Sequence, residues 1–97
     1  MYAIALIRYR RPFEEALTVS DAHRAYLLGL KERGLVLASG PLDPRTGGVL
    51  LLRVPDEGAR EMLDRIRDED PYTKTGMAQY ELLPWAPNIG AEALEKM

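Results

Sequence analysis

His23 is the side chain of this sequence best suited to move a proton, and Asp70 is one carboxylate that could assist it. His23 is the only histidine, and histidine is the side chain whose ordinary pKa, about 6.5, permits proton exchange near neutral pH. A carboxylate such as that of Asp70 can orient an imidazole and stabilise its charged form. His23 therefore indicates general acid or base chemistry, in which Asp70 could position its ring.

Each residue of this pair also has a purely structural interpretation. A single histidine on an apolar helix face is often a packed residue whose polar atoms are satisfied locally. An aspartate that precedes a proline, as Asp70 precedes Pro71, often caps the amides of a turn. The residue types alone leave both interpretations open.

Three further residues are candidates for binding a substrate, namely Arg8, Ser39 and Tyr72. Arg8 follows an apolar run and could hold a ligand oxygen, although a charge at a strand end is also commonly solvated. Ser39 precedes Gly-Pro, outside the strand-turn-helix pattern of a nucleophilic serine, so we assign it only a hydrogen-bonding role. Tyr72, together with Tyr9, could contact a phenol or an enol, or could simply pack at a strand end.

Composition argues against several other kinds of site. The chain has 13 basic and 15 acidic side chains and a net charge of -2, so it offers no positive field to attract nucleic acid. A single histidine without any cysteine gives no recognised metal-ligand spacing. Gly47-Gly48 precedes a predicted strand, whereas a phosphate-binding loop precedes a helix. We therefore expect no metal, no organic cofactor and no nucleic-acid partner.

The helix that carries His23 has recognisable ends. Thr18 or Ser20 can cap its first turn, so that residues 10–17 form a loop before it. Gly34 can end the helix by taking a left-handed conformation. Apolar residues at helical spacing then place His23 on the inward face of this helix.

Four strands and a second helix complete the pattern. The second helix opens at Asp56, taken as its N-cap, and must end before Pro71. The order predicts an α+β, ferredoxin-like βαββαβ fold, in which a four-stranded antiparallel sheet carries two helices on one face. One domain therefore spans residues 1–97, with a core over 1–86 and a C-terminal tail over 87–97. Apolar runs place the four strands at residues 2–10, 35–38, 49–54 and 76–83.

The predicted sheet has apolar side chains on both faces, which two helices on one face cannot cover. Residues 49–54, for example, are apolar at both alternating sets of positions except for the arginine. A soluble monomer seldom exposes an apolar patch of that extent. We therefore expect a two-fold homodimer in which the open sheet faces pack together, with Val36 or Leu37 facing the partner.

The first eight residues have the character of a buried strand. Their apolar run is too short to span a bilayer and lacks the basic segment that opens a signal peptide. We therefore expect no membrane partner. A chain without cysteine also fits a reducing compartment, and a cytoplasmic location is the expectation.

Several short motifs occur together in the order of a known family. They are His23 on the first helix, Gly34 to Pro41, Gly47-Gly48, Asp70-Pro71-Tyr72 and Leu83-Pro84-Trp85. In this combination, over residues 1–86, the chain resembles the YCII-related (YciI-like) family. The resemblance implies a dimeric α+β barrel of ferredoxin-like protomers, with His23 and Asp70 as the active-site pair.

Most members of this family have no established reaction, and the resemblance offers a few examples of reaction types. One branch of the family resembles a dehydrochlorinase of chlorinated hydroxyquinols, and more distant barrels include isomerases and cofactor-independent oxygenases. This chain departs from the pattern at Ser20, where many relatives carry an arginine one turn before the histidine. An anionic substrate therefore does not follow from the resemblance.

Two hypotheses of different kinds follow from the sequence. In the first, His23 performs acid/base chemistry on a small aromatic or enolic substrate, by isomerisation, elimination or dehydrochlorination, without a cofactor. In the second, the protein is a non-catalytic module that binds a small molecule or a partner, and His23 only donates a hydrogen bond. An imidazole that is open to a cavity and bonded to Asp70 would favour the first hypothesis.

Overall fold

The structure is a computed structural model that describes all residues, 1–97. It contains four strands, two long helices and two short ones. The bounds in chain order are β1 Tyr2–Tyr9, α1 Phe13–Glu32, β2 Val36–Pro41, β3 Gly47–Arg53, α2 Ala59–Glu69, α3 Pro71–Lys74, β4 Ala78–Trp85 and α4 Ala91–Glu95.

The four strands form one antiparallel sheet in the order β2-β3-β1-β4. Strand β1 lies inside the sheet, between β3 and β4. Its alternate residues Ala3, Ala5 and Ile7 are small or apolar and are covered by the helices. Leu27 of α1 and Leu63 of α2 belong to the same buried cluster as these residues, so both long helices lie on one face of the sheet. The predicted ferredoxin-like α+β fold is confirmed.

Helix α1 begins at Phe13, much earlier than the sequence predicted, and the expected loop over residues 10–17 is wrong. Pro12 precedes the helix with φ -53°, a preset angle close to helical values, and its missing amide hydrogen costs nothing at a helix start. Thr18 and Ser20 are not caps, because their hydroxyls donate to backbone carbonyls three residues earlier, inside the helix. The C-terminal end is as predicted, with Gly34 at φ +77°.

The prediction that Asp56 is the N-cap of the second helix is also wrong. Helix α2 is preceded by Gly58 in a left-handed conformation, and no side chain caps it. The Asp56 carboxylate instead accepts a hydrogen bond from the N-terminal amine of Met1 at 2.7 Å, and this amine also donates to the carbonyl of Val54. The start of the chain is thereby fixed beside the end of β3.

Strand β2 extends through Ser39-Gly40-Pro41, which the sequence suggested as its end. A bulge between Val36 and Ala38 shifts the register, and Ser39 then pairs with Leu50 of β3. Leu50 belongs to the core under the helices, so Ser39 lies on the helix-covered side of the sheet. Gly47 lies where a Cβ atom would overlap the backbone of β1, which explains a glycine at this position.

The other sheet face carries a half-buried apolar set from the two central strands and exposed residues from β4. Leu83 and Trp85 are 39% and 43% exposed, respectively. Arg53 on β3 reaches the C-terminal tail, where its guanidinium donates to the carbonyls of Leu94 and Met97. The tail is therefore attached near the end of β3. None of the helices combines the length and apolar character needed to cross a membrane.

Candidate active site

His23 and Asp70 are brought together from residues 47 positions apart in the chain. The Nδ1 atom of His23 lies 2.9 Å from Oδ1 and 2.8 Å from Oδ2 of Asp70. Because a carboxylate only accepts hydrogen bonds, Nδ1 carries the proton and Nε2 is the ring nitrogen left for a ligand. The His23 side chain is 14% exposed and that of Asp70 is completely buried.

Three different groups hold the Asp70 carboxylate in place. Besides His23, the backbone amide of Tyr72 donates to it at 2.8 Å, so that Asp70 is the N-cap of α3. Pro71 at the first position of α3 suits this arrangement, because it has no amide hydrogen to satisfy. The hydroxyl of Tyr80, on β4, donates to Oδ2. Asp70 therefore fills both of the roles that the sequence left open, as a turn cap and as the partner of the imidazole.

Aromatic side chains fix the plane of the imidazole. The ring of Tyr72 stacks on that of His23 with centroids 4.2 Å apart and an interplanar angle of 29°. Tyr9 packs edge-on against Tyr72 at 5.8 Å, and Phe13 contacts Tyr9 at 6.2 Å. Since Asp70 fixes one ring nitrogen and Tyr72 covers one ring face, His23 has a single defined orientation.

Burial keeps the tyrosines around Asp70 protonated. It is the main cause that raises the pKa of Tyr80, and the negative charge of Asp70 raises it further. Burial likewise raises the pKa of Tyr72, and it raises the pKa of Tyr26 to about 12. Tyr80 is therefore a permanent hydrogen-bond donor to Asp70.

These raised tyrosine pKa values predict a loss of stability at high pH. The ordinary tyrosine pKa is 10.0, so above that pH the unfolded chain ionises Tyr26, Tyr72 and Tyr80 while the folded chain does not. The free energy of unfolding should be constant with respect to these groups below about pH 10 and should fall above it. Urea melts from about pH 8 to about pH 11 measure this, and Tyr80→Phe should weaken the dependence. A stability that does not change over this range would contradict the burial of the three phenols.

A cavity of about 560 Å³ opens beside His23, between α1 and the strands β2 and β3. Tyr72 and Tyr9 lie at the His23 end, and Ser39 lines the wall that β2 provides. The remaining lining is partly apolar and partly charged. The apolar side chains include those of Ile7, Leu27, Leu28, Val36 and Leu50, and the charged ones are those of Asp21, Arg24, Lys31 and Arg45.

Four of the five predicted site residues come together, and Arg8 does not. His23, Ser39 and Tyr72 line the cavity and Asp70 lies directly behind His23, but Arg8 is exposed and does not line it. Side chains alternate along a strand, and it is the neighbouring Ile7 that faces the cavity. The structure therefore gives no support for Arg8 as the group that holds a ligand oxygen beside His23.

Two residues of the site were missed from the sequence, Tyr80 and Arg45. Tyr80 alternates with exposed Gln79 and Glu81 on β4, and this alternation indicates an inward side chain without indicating Asp70 as its partner. Arg45 lies in the turn between β2 and β3, and its guanidinium carbon is 5.2 Å from the centroid of the Phe13 ring. Nothing in the turn sequence shows on which side of the sheet this arginine lies.

The polar groups of the cavity suit hydrogen bonding and charge attraction. No three histidine, cysteine, aspartate or glutamate side chains converge in a way that could hold a metal ion. The groups that are present are one imidazole, two serine hydroxyls, two phenols, three cations and one exposed carboxylate. Such a set can exchange a proton, donate hydrogen bonds and stabilise a negative oxygen.

Fold and site together define a small α+β protein with a buried histidine-aspartate pair at the end of a cavity. The family model of the YCII-related domain matches residues 1–86. The chain belongs to the YCII-related family. No match was found among curated protein sequences.

A solved structure with the same fold is 5-chloro-2-hydroxyhydroquinone dehydrochlorinase from Burkholderia phenoliruptrix, in complex with 2,5-dihydroxybenzoquinone. The superposition has a TM-score of 0.74 at 23% sequence identity, and it covers 92% of this chain and 97% of the other. The match shows that the two proteins share a fold over nearly their whole lengths.

Proposed function

We propose that this protein is a cofactor-independent enzyme in which His23 transfers a proton to or from a small aromatic or enolic substrate. The observation that carries the proposal is the position of the imidazole. Its Nδ1 atom is bonded to the buried Asp70 at 2.8 Å, and its ring lines a cavity large enough for such a substrate. A histidine packed only against leucines would have supported the non-catalytic alternative.

The geometry supports a simple course for proton transfer. Nε2 takes a proton from a hydroxyl or a carbon of the substrate, and Asp70 stabilises the imidazolium that forms. In an isomerisation His23 returns this proton to another atom of the substrate. In a dehydrochlorination, His23 removes a proton from the keto tautomer of a chlorinated hydroxyquinol, the electrons of the broken bond expel chloride, a quinone forms, and the proton then leaves His23 for solvent. The name of the structural neighbour supports the second course.

A test of this function uses candidate hydroxyquinols directly. Wild-type protein is incubated with 5-chloro-2-hydroxyhydroquinone in heavy water, and released chloride and exchange of ring hydrogens for deuterium are both measured. We expect at least one of these reactions to exceed the rate of the His23→Asn variant. If neither reaction exceeds that of the variant while the compound binds to the cavity, the ligand-binding alternative replaces the enzyme.

We also propose that two copies pair through the sheet face that the helices leave uncovered. Ile4, Leu6, Val49 and Leu51, on the two central strands, are only half-buried there, and Trp85 is exposed at its edge. Burying this apolar face against a second copy would remove a patch that monomers seldom expose. The cytoplasmic location expected from the sequence stays a prediction.

The dimer predicts the effect of a charge at the centre of this face. Leu51 lies on an inner strand and pairs with Ile4. Leu51→Asp should place an unpaired charge in an apolar interface, at a cost of about 3–5 kcal/mol, which is a loss of roughly 10²- to 10³-fold or more in affinity. Light scattering at micromolar concentration should give a dimer for the wild type and a monomer for the variant.

A matched control for this prediction is Leu17→Asp. Leu17 is exposed on α1, away from the uncovered sheet face, so this variant should remain dimeric. Val36, one of the two residues expected from the sequence to face the partner, is 4% exposed in the core under the helices and is unsuitable. A monomeric wild type, or a Leu51→Asp variant that is still fully dimeric, would contradict the proposed dimer.

A further inference from the structure

The charged side chains that line the cavity have a positive net charge, whereas the net charge of the whole chain is negative. The protein has a net charge of -2, yet Arg24, Lys31 and Arg45 line the cavity with only one exposed acid, Asp21. None of these three cations takes part in any of the salt bridges of the chain. The cavity therefore holds positive charge that the protein itself does not neutralise.

Asp70 does not provide the missing negative charge. Its carboxylate is completely buried behind His23, and it already accepts hydrogen bonds from His23, from the Tyr72 amide and from Tyr80. The three cations are therefore available to a negative group from outside the chain.

Arg45 lies against the aromatic side chains at the His23 end of the cavity. Its guanidinium lies over the ring of Phe13, which restrains the side chain while leaving its charge and its hydrogen-bond donors available. Its positive charge also acts on the Tyr72 phenol, where it opposes the rise in pKa that burial causes. Because Tyr72 stacks on His23, Arg45 lies at the same end of the cavity as the imidazole.

We propose that the cavity selects an anionic substrate, whose carboxylate or ionised ring oxygen binds Arg45 while the reacting part of the molecule faces His23. This inference rests on the proposed function and adds the charge of the substrate to it. Arg24 and Lys31 line the same cavity and attract the anion toward it.

The same contact would assist proton removal. When His23 takes a proton from the substrate, negative charge builds up on the substrate oxygen. A guanidinium already positioned beside that oxygen stabilises this charge without further reorganisation. Arg45 is therefore placed both to select the substrate and to lower the barrier.

Binding of two matched quinones tests the proposal without any turnover. The first is 2,5-dihydroxybenzoquinone, a vinylogous acid that is anionic at neutral pH, and the second is its neutral dimethyl ether, 2,5-dimethoxybenzoquinone. Calorimetric titration should show that the wild type prefers the anion. Arg45→Met, which keeps the aliphatic part of the side chain and removes the guanidinium, should raise the dissociation constant of the anion about 10- to 100-fold and should weaken its salt dependence.

Arg60→Met provides the control, because Arg60 is exposed on α2, outside the cavity, and forms no ion pair. This variant should bind the anion as the wild type does. Equal affinity of the wild type for both quinones, absence of binding of the anion, or an Arg45→Met variant with unchanged affinity would each overturn the inference.

These outcomes also separate this inference from the proposed function. If anion-selective binding depends on Arg45 but no reaction depends on His23, the proposed anion site is supported and the proposed enzymatic function is rejected. If a reaction depends on His23 but Arg45→Met binds the anion as the wild type does, the enzymatic function is supported and the anion site is rejected.

Discussion

His23→Asn is expected to lower turnover of the substrate by about 10²- to 10⁴-fold, with little loss of stability. The Nδ2 atom of asparagine falls close to the position of the imidazole Nδ1, so the variant can keep a hydrogen bond to Asp70. It has no atom at the position of Nε2, which is the nitrogen available to the cavity. The stacking on Tyr72 is lost, and the free energy of unfolding should fall by only about 0.5–1.5 kcal/mol.

A second measurement on His23 needs no substrate. Because the chain has one histidine, the ultraviolet absorbance of the carbethoxylated imidazole that diethyl pyrocarbonate forms reports on His23 alone. The reagent should react in the free protein, and a bound anionic quinone should protect His23.

Ser20→Ala is the matched control for the turnover of His23→Asn. Ser20 lies on the same helix and lines the cavity, but its hydroxyl donates to a backbone carbonyl. If His23→Asn were as active as Ser20→Ala, His23 would not be the acid or base.

Asp70→Ala is expected to cause the largest loss of stability of any single substitution in the site. It removes a completely buried carboxylate that accepts hydrogen bonds from His23, Tyr72 and Tyr80, and it leaves a void. The cost should be about 3–5 kcal/mol, which is a large part of the roughly 5–15 kcal/mol that stabilises a typical domain. Urea melts should therefore show a lowered midpoint or an unfolded protein.

Two further variants separate stability from chemistry at this position. Glu69→Ala changes an exposed carboxylate one residue earlier and should leave the melts unchanged. Asp70→Asn keeps the volume and an oxygen for the Tyr72 amide, but its amide donates toward His23 and favours the tautomer with the proton on Nε2. That variant should fold and should lose most of the activity. An Asp70→Ala protein as stable as the wild type would contradict the hydrogen-bond network.

The order of strands and helices could be predicted because each element has its own local signal. Apolar runs marked the strands, and Gly34 marked the end of α1. The start of α1 was missed because Thr18 and Ser20 are common caps, and only the structure shows their hydroxyls bonded inside a longer helix. The prediction of the start of α2 failed for a similar reason, since the Asp56 carboxylate binds the distant N-terminal amine.

The site was harder to predict than the fold because it depends on contacts between distant residues. Placing His23 beside Asp70 rested on the family resemblance, since no local pattern joins a helix to a turn 47 residues later. Arg8 was a candidate because it follows an apolar run, but strand alternation assigns its neighbour Ile7 to the cavity. Arg45 could not be assigned to the site from the sequence, since the direction of a side chain in a turn depends on the conformation of that turn.

The double role of Asp70 bears on how relatives of this protein diverge. A chain that no longer needed the reaction could lose its histidine with little harm to folding. It could not as easily lose Asp70, because the cap of α3 and the hydroxyl of Tyr80 both depend on that carboxylate. Retention of the aspartate in a relative is therefore weak support for enzymatic activity. Retention of the histidine is the better guide when deciding which members of the family to assay.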